Sequence, residues 1–113
     1  DKDLDLIVDY AGFGITTSDA LEVVKPGGTV VLVGMGKLET TINTTSFITG
    51  AKRLLANVGG TPKDIAEIYE LMAAGKLNPK LTKIKFKDIP EGIEKLKAGE
   101  VQGRLVAVYD GDE

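Results

Sequence analysis

The longest uninterrupted apolar rhythm is Thr29-Val-Val-Leu-Val33, set between Lys25-Pro-Gly-Gly28 and Gly34. No polar residue alternates with its β-branched and aliphatic side chains, which predicts a strand covered on both faces, as in a parallel sheet. Pro26 cannot continue a helix, so the apolar stripe of Ala20, Leu21 and Val24 must end before it. Upstream, Leu4-Asp-Leu-Ile-Val-Asp-Tyr10 reads as a strand that runs into Ala11-Gly-Phe-Gly14. A helix follows, with Thr16, Thr17 and Ser18 offering hydroxyl caps and Asp19 an early acid. The three pieces form one strand–helix–strand unit.

Further on, Lys37 to Asn43 is polar and predicts a loop or a short strand, and Thr45 to Lys52 predicts a short helix with Phe47, Ile48 and Ala51 on one side. Arg53-Leu-Leu-Ala-Asn-Val58 is a third strand that stops at Gly59-Gly60. Thr61, Pro62 and Asp64 then carry the signature of a capped helix start, followed by a stripe of Ile65, Ile68, Leu71 and Met72 expected to be buried and by Gly75 as the stop. Lys83, Lys85 and Lys87 alternate with Ile84 and Phe86, the pattern of an edge strand with one wet face. Asp88-Ile-Pro-Glu91 repeats the cap logic for a helix with Ile89, Ile93 and Leu96 inside, and Arg104 to Tyr109 is the last strand. The acidic end, Asp110, Asp112 and Glu113, is too short to hold a hard cation and is expected to fray.

Composition narrows the chemistry. Fourteen basic against seventeen acidic residues give a net charge of −3, which offers no electrostatic footprint for nucleic acid. With no Cys and no His in 113 residues, the chain supplies no thiolate or imidazole, which excludes zinc ligation and Ser-His catalysis from its own residues. No run approaches the roughly 20 apolar residues of a membrane helix, and no charged-then-apolar leader opens the chain, so no membrane partner and a cytoplasmic location are expected. A short-chain dehydrogenase would place Lys four residues after Tyr; Tyr10, Tyr69 and Tyr109 are followed at that spacing by Gly14, Ala73 and Glu113.

The order of Asp9-Tyr-Ala-Gly-Phe-Gly14, Lys25-Pro-Gly-Gly28, Val33-Gly-Met-Gly36, Val58-Gly-Gly-Thr-Pro62 and Gly103-Arg-Leu-Val106 resembles the medium-chain, zinc-type alcohol dehydrogenases over nearly the whole chain. The resemblance implies an α/β fold: a partial Rossmann-like parallel sheet with flanking helices, followed by a small α+β C-terminal extension. Residues 1–60 would be the second mononucleotide half of a dinucleotide-binding domain, and residues 61–113 a return segment toward the catalytic domain. Such enzymes carry their zinc site and glycine-rich phosphate turn ahead of this region, so the chain is expected to be a C-terminal portion, inactive alone. The parent would oxidise an alcohol, or reduce an aldehyde, by hydride transfer with NAD or NADP.

No catalytic residue and no metal ligand is expected here. Gly12-Phe-Gly14-Ile-Thr-Thr17 follows a strand and opens a helix, as a dinucleotide fingerprint does, but its third small position is Thr17 and no acid ends the next strand, so it reads as a structural turn. By resemblance, Ala11, Gly12 and Phe13 form a strand end near the nicotinamide-side ribose. Val33, Gly34 and Met35 sit where open parallel sheets bind ligands, beyond the carboxyl end of a strand; the resemblance gives them, with Ala56, Asn57 and Val58, the nicotinamide carboxamide. Arg104 would fork onto the cofactor pyrophosphate, the alternative being a surface ion pair. A second reading makes the chain an assembly module, a homo-oligomer formed through the sheet edge at 40–43 and 53–58; a third is an unrelated small α/β domain.

Overall fold

The computed structural model describes residues 3–109, which divide into two compact units at Gly60–Thr61.

The first unit is a three-stranded parallel sheet in the order β1-β2-β3, formed by Leu6–Asp9, Thr29–Leu32 and Arg53–Ala56. Helix α1 (Ile15–Val23) connects the first two strands and α2 (Thr44–Thr49) precedes the third. A turn at Lys25–Gly28 separates α1 from β2: Gly28 N–H donates to the Lys25 carbonyl at 2.8 Å, with Pro26 and Gly27 (φ +79°) at its two central positions, the chemistry of a type II turn. Ala20, Leu21 and Val24 of α1 close over Val30, with Ile7, Ile42, Phe47 and Leu54 packed around them. Leu21, Val24 and Val30 are almost fully buried, each contributing about 1.5–3 kcal/mol relative to exposure.

Only one face of this sheet is closed within the unit. Register places Val8, Val31 and Leu55 in one row, and Val8 and Leu55 are exposed while Val31 is half-buried. The unbroken apolar run predicted two covered faces; the row opposite α1 lacks its cover. Residues 40–43 join no strand, so of the edge expected at 40–43 and 53–58 only β3 is part of the sheet. Ile48, expected on the inner side of the short helix, is exposed, whereas Phe47 packs against the core.

The second unit holds α3 (Pro62–Ala73), β4 (Leu81–Lys85), α4 (Ile89–Lys97) and β5 (Arg104–Val108), with β4 and β5 paired in parallel. The start of α3 is a complete capping box: Asp64 N–H donates to Thr61 Oγ1 at 3.1 Å, and Thr61 N–H donates to Asp64 Oδ2 at 2.8 Å. Both helices end on glycine at positive φ. Gly75 N–H donates to Met72 O and Lys76 N–H to Leu71 O, and Gly99 and Glu100 repeat the pattern, so both ends are Schellman motifs. The stripes are another matter. Ile65, Ile68 and Leu71 of α3 and Ile93 and Leu96 of α4 are exposed rather than buried, because amphipathic spacing defines a face and not its cover. Asp88 stands at the start of α4 without a side-chain cap bond, since residues Phe86–Asp88 form a 3₁₀ turn that ends β4 before Lys87. The acidic end 110–113 lies outside the described residues.

Candidate functional site

The last register row, Asp9, Leu32 and Ala56, brings the three strands to a common carboxyl edge. Nine of the residues singled out in the sequence follow or close that row: Ala11, Gly12 and Phe13 after β1, Val33, Gly34 and Met35 after β2, and Ala56, Asn57 and Val58 at the end of β3. Arg104 lies in the second unit at the start of β5, where its amide donates to Lys80 O at 2.9 Å. Its exposed guanidinium has no hydrogen-bond or ion-pair partner among the described residues.

Backbone meets backbone at this edge. The Asp9 carbonyl accepts from both Val33 N–H (3.0 Å) and Gly34 N–H (3.1 Å), and beyond it Gly36 N–H donates to Ala11 O at 3.1 Å and Lys37 N–H to Gly12 O at 2.8 Å. Such contact leaves no room for a side chain, which is why Gly12, at φ +62°, and Gly34 face each other. Phe13 lies across Gly36, about half exposed.

Asp9 organises the β1 tip. Only 6% exposed, its carboxylate accepts from Gly12 N–H (2.9 Å), Ala11 N–H (3.2 Å), Thr17 Oγ1 (2.6 Å) and Thr16 Oγ1 (3.0 Å). Thr16 Oγ1 in turn accepts from Phe13 N–H at 3.1 Å. Burial pushes the Asp9 carboxyl up, but the bonds from Gly12, Thr17, Thr16 and Ala11 outweigh it and hold the group below its usual range. These threonines therefore do not cap α1. Its N-cap is Gly14, without a side-chain bond; of the hydroxyls expected to serve the helix, those of Thr16 and Thr17 are spent on Asp9 and that of Ser18 donates to Ile15 O. The amides of Gly12 and Phe13 are filled by the protein's own oxygen atoms, whereas that of Gly14 has no partner among the described residues. In the sequence Asp9 only closes an apolar run; the signal that marks it is Gly12 three residues on and Thr16 and Thr17 seven and eight residues on.

The β2 and β3 tips differ. Among the described residues, Met35 N–H, Val58 N–H and the carbonyls of Val33 and Gly34 have no backbone partner. Met35 is 83% and Val58 93% exposed, Val33 and Gly34 are half-buried, and the Gly34 carbonyl lies against Gly12. Asn57 N–H continues the ladder to Leu32 O at 3.0 Å, and its side-chain amide turns back to Gly59 O at 3.4 Å. The arrangement offers two donors and two acceptors from main chain, a set that suits a primary carboxamide, whose oxygen accepts and whose nitrogen donates. No group of three His, Cys, Asp or Glu side chains stands together among the described residues, so they do not fit a zinc ion. No helix there is long and apolar enough to cross a membrane.

A parallel sheet with its open main-chain groups gathered at the carboxyl ends of the strands defines an α/β protein of the class that binds ligands there. Residues 1–106 match the family of zinc-binding dehydrogenases, and the chain belongs to that family. It is 30% identical over 87 residues, 77% of its length, to an alcohol dehydrogenase of Geobacillus stearothermophilus, and 29% identical over 104 residues, 91% of its length, to alcohol dehydrogenase 1 of Caenorhabditis elegans. The acetophenone reductase of Geotrichum candidum, solved in complex with NAD, superposes with a TM-score of 0.89 at 32% identity over 99% of the chain. The chain spans 26%, 30% and 33% of these three proteins, so it is similar to one part of each.

Proposed function

We propose that the chain is a C-terminal part of an NAD(P)-dependent alcohol dehydrogenase and forms the wall against which the nicotinamide end of the cofactor rests. Residues 1–60 are the second mononucleotide half of the dinucleotide-binding domain, and residues 61–113 are the return toward the catalytic domain. The observation that carries this reading is the unfilled set at the strand tips, the Met35 and Val58 amides and the Val33 and Gly34 carbonyls, none of which has a backbone partner among the described residues.

When bound, the nicotinamide supplies acceptance of a hydride from the alcohol carbon. The chain's own residues orient it. Val58 and Met35 would donate to the carboxamide oxygen and Val33 and Gly34 would accept from its nitrogen, while the missing side chain at Gly34 lets the β1 and β2 tips close on each other. Ala11, Gly12 and Phe13 act as a packed wall, since their amides are already bonded to Asp9 and Thr16. Arg104 offers a guanidinium to phosphate oxygens. Zinc ligands come from elsewhere in the enzyme, and the chain alone turns over no alcohol.

Titration of the full chain with NAD, followed through backbone amide resonances, tests this. Met35, Val58 and their neighbours should shift together and saturate; an unchanged spectrum at millimolar NAD, or shifts confined to other residues, overturns it. A second reading rests on β3, which pairs only with β2 and leaves its outer edge open. A twin copy adding there would give a dimer by sedimentation, whereas a monomer at high concentration argues against that role.

A further inference from the structure

We infer that Asp9 is the positioning residue of the proposed cofactor wall, joining the β1 and β2 tips through opposite ends of the same residue; this rests on the cofactor reading above. Its carboxylate takes up the amides of Ala11 and Gly12 and the hydroxyls of Thr16 and Thr17. Its carbonyl takes up the amides of Val33 and Gly34.

The two ends act in series. Binding consecutive amides on Oδ1 folds the chain after β1 into a tight turn and drives Gly12 to φ +62°. Through Thr16, the same carboxylate reaches the amide of Phe13, so three successive N–H groups point inward. Their carbonyl neighbours must then point out, and those of Ala11 and Gly12 receive Gly36 and Lys37. The segment between, Gly34 and Met35, is pinned on one side by the Asp9 carbonyl and on the other by these two bonds. The open groups of Val33, Gly34 and Met35 are thus held by a residue that would not itself touch the cofactor. An anionic group is needed, because only a carboxylate accepts from every partner at once without presenting a donor of its own. Asp9→Asn keeps the size but replaces one acceptor oxygen by a donor facing Thr16 and Thr17.

The test uses the full chain at a temperature well below its unfolding. In Asp9→Asn the amide resonances of Gly34 to Lys37 should move and exchange faster with solvent, while those of α3 to β5 stay in place. NAD should bind roughly tenfold more weakly, because the competent tip is then populated only in part. Should Asp9→Asn fail to fold, Thr17→Val removes only the 2.6 Å hydroxyl bond and should show the same shifts in smaller measure, with Thr17→Ser returning the resonances to their native positions. A folded Asp9→Asn or Thr17→Val chain with native resonances at 34–37 and native NAD affinity overturns the inference. A native chain that binds no NAD overturns the cofactor reading instead, and the role of Asp9 in holding the β2 tip is then decided by the resonances at 34–37 alone.

Discussion

A methyl group at Gly12 would sit 1.9 Å from the carbonyl oxygen of Gly34, so these two residues touch through main chain alone. Gly34 is no freer, since a Cβ there would lie 2.1 Å from Tyr10 O. Neither distance is tolerated by packed atoms, so Ala at either position must push the strand tips apart.

Gly12→Ala is expected to cost about 3 kcal/mol, the sum of overpacking and a left-handed backbone imposed on a Cβ. Gly34→Ala carries the overpacking alone, about 1–3 kcal/mol. Gly27, at φ +79° with nothing within 4 Å of its would-be Cβ, supplies the comparison, and Gly27→Ala should cost only about 1–2 kcal/mol. Denaturant unfolding of the three variants, read on the first unit, checks the ranking.

Ala51 occupies the position that glycine fills after α3 and α4. Its φ is +47°, its amide donates to Ile48 O and Lys52 N–H donates to Phe47 O, the same Schellman pattern at the end of α2. Ala51→Gly should therefore stabilise the first unit by about 1 kcal/mol, measured as a rise in denaturation midpoint at unchanged slope.

Asp9 gives stability a pH signature. Its carboxyl binds a proton less readily in the folded chain than in the unfolded one, so the unfolded state holds more protons and stability rises with pH through that window. The contribution is complete above the ordinary carboxylate range, about pH 4, and is lost as pH falls through the lower folded value. Asp64 shifts in the same direction through its bonds with the Thr61 amide and hydroxyl. Acid titration of unfolding should show a fall below about pH 4 that is reduced for the first unit in Asp9→Asn and for the second in Asp64→Asn.

Thr61→Ala removes the acceptor for the Asp64 amide and should cost α3 about 1 kcal/mol. Because the two residues cap each other, the double variant Thr61→Ala with Asp64→Ala should cost less than the sum of the singles. Thermal unfolding of all three checks the cycle.

Local chemistry was the most legible part of the sequence. Thr61-Pro62 with Asp64, the Lys25–Gly28 turn and the three apolar runs each state their own structure, because caps, turns and strand period depend on neighbours a few residues away. Burial was not legible in the same way: Ile65, Ile68, Leu71, Ile93 and Leu96 have helical spacing but stand exposed, since spacing carries no information on what lies opposite. The strand tips were legible as a place, through Gly12 and Gly34, but not as a division of labour. Which amides are filled and which are open depends on Asp9, whose partners lie up to eight residues away and on a second strand.

In the proposed role, main-chain groups at the β2 and β3 tips hold a carboxamide. Binding of nicotinamide mononucleotide compared with nicotinic acid mononucleotide, followed at the Met35 and Val58 amides of the full chain, tests it most directly. Saturable shifts are expected with the amide and at least tenfold weaker binding with the acid, whose carboxylate brings no donor to the Val33 and Gly34 carbonyls. Equal binding of the two, or shifts that leave Met35 and Val58 unmoved, would contradict it.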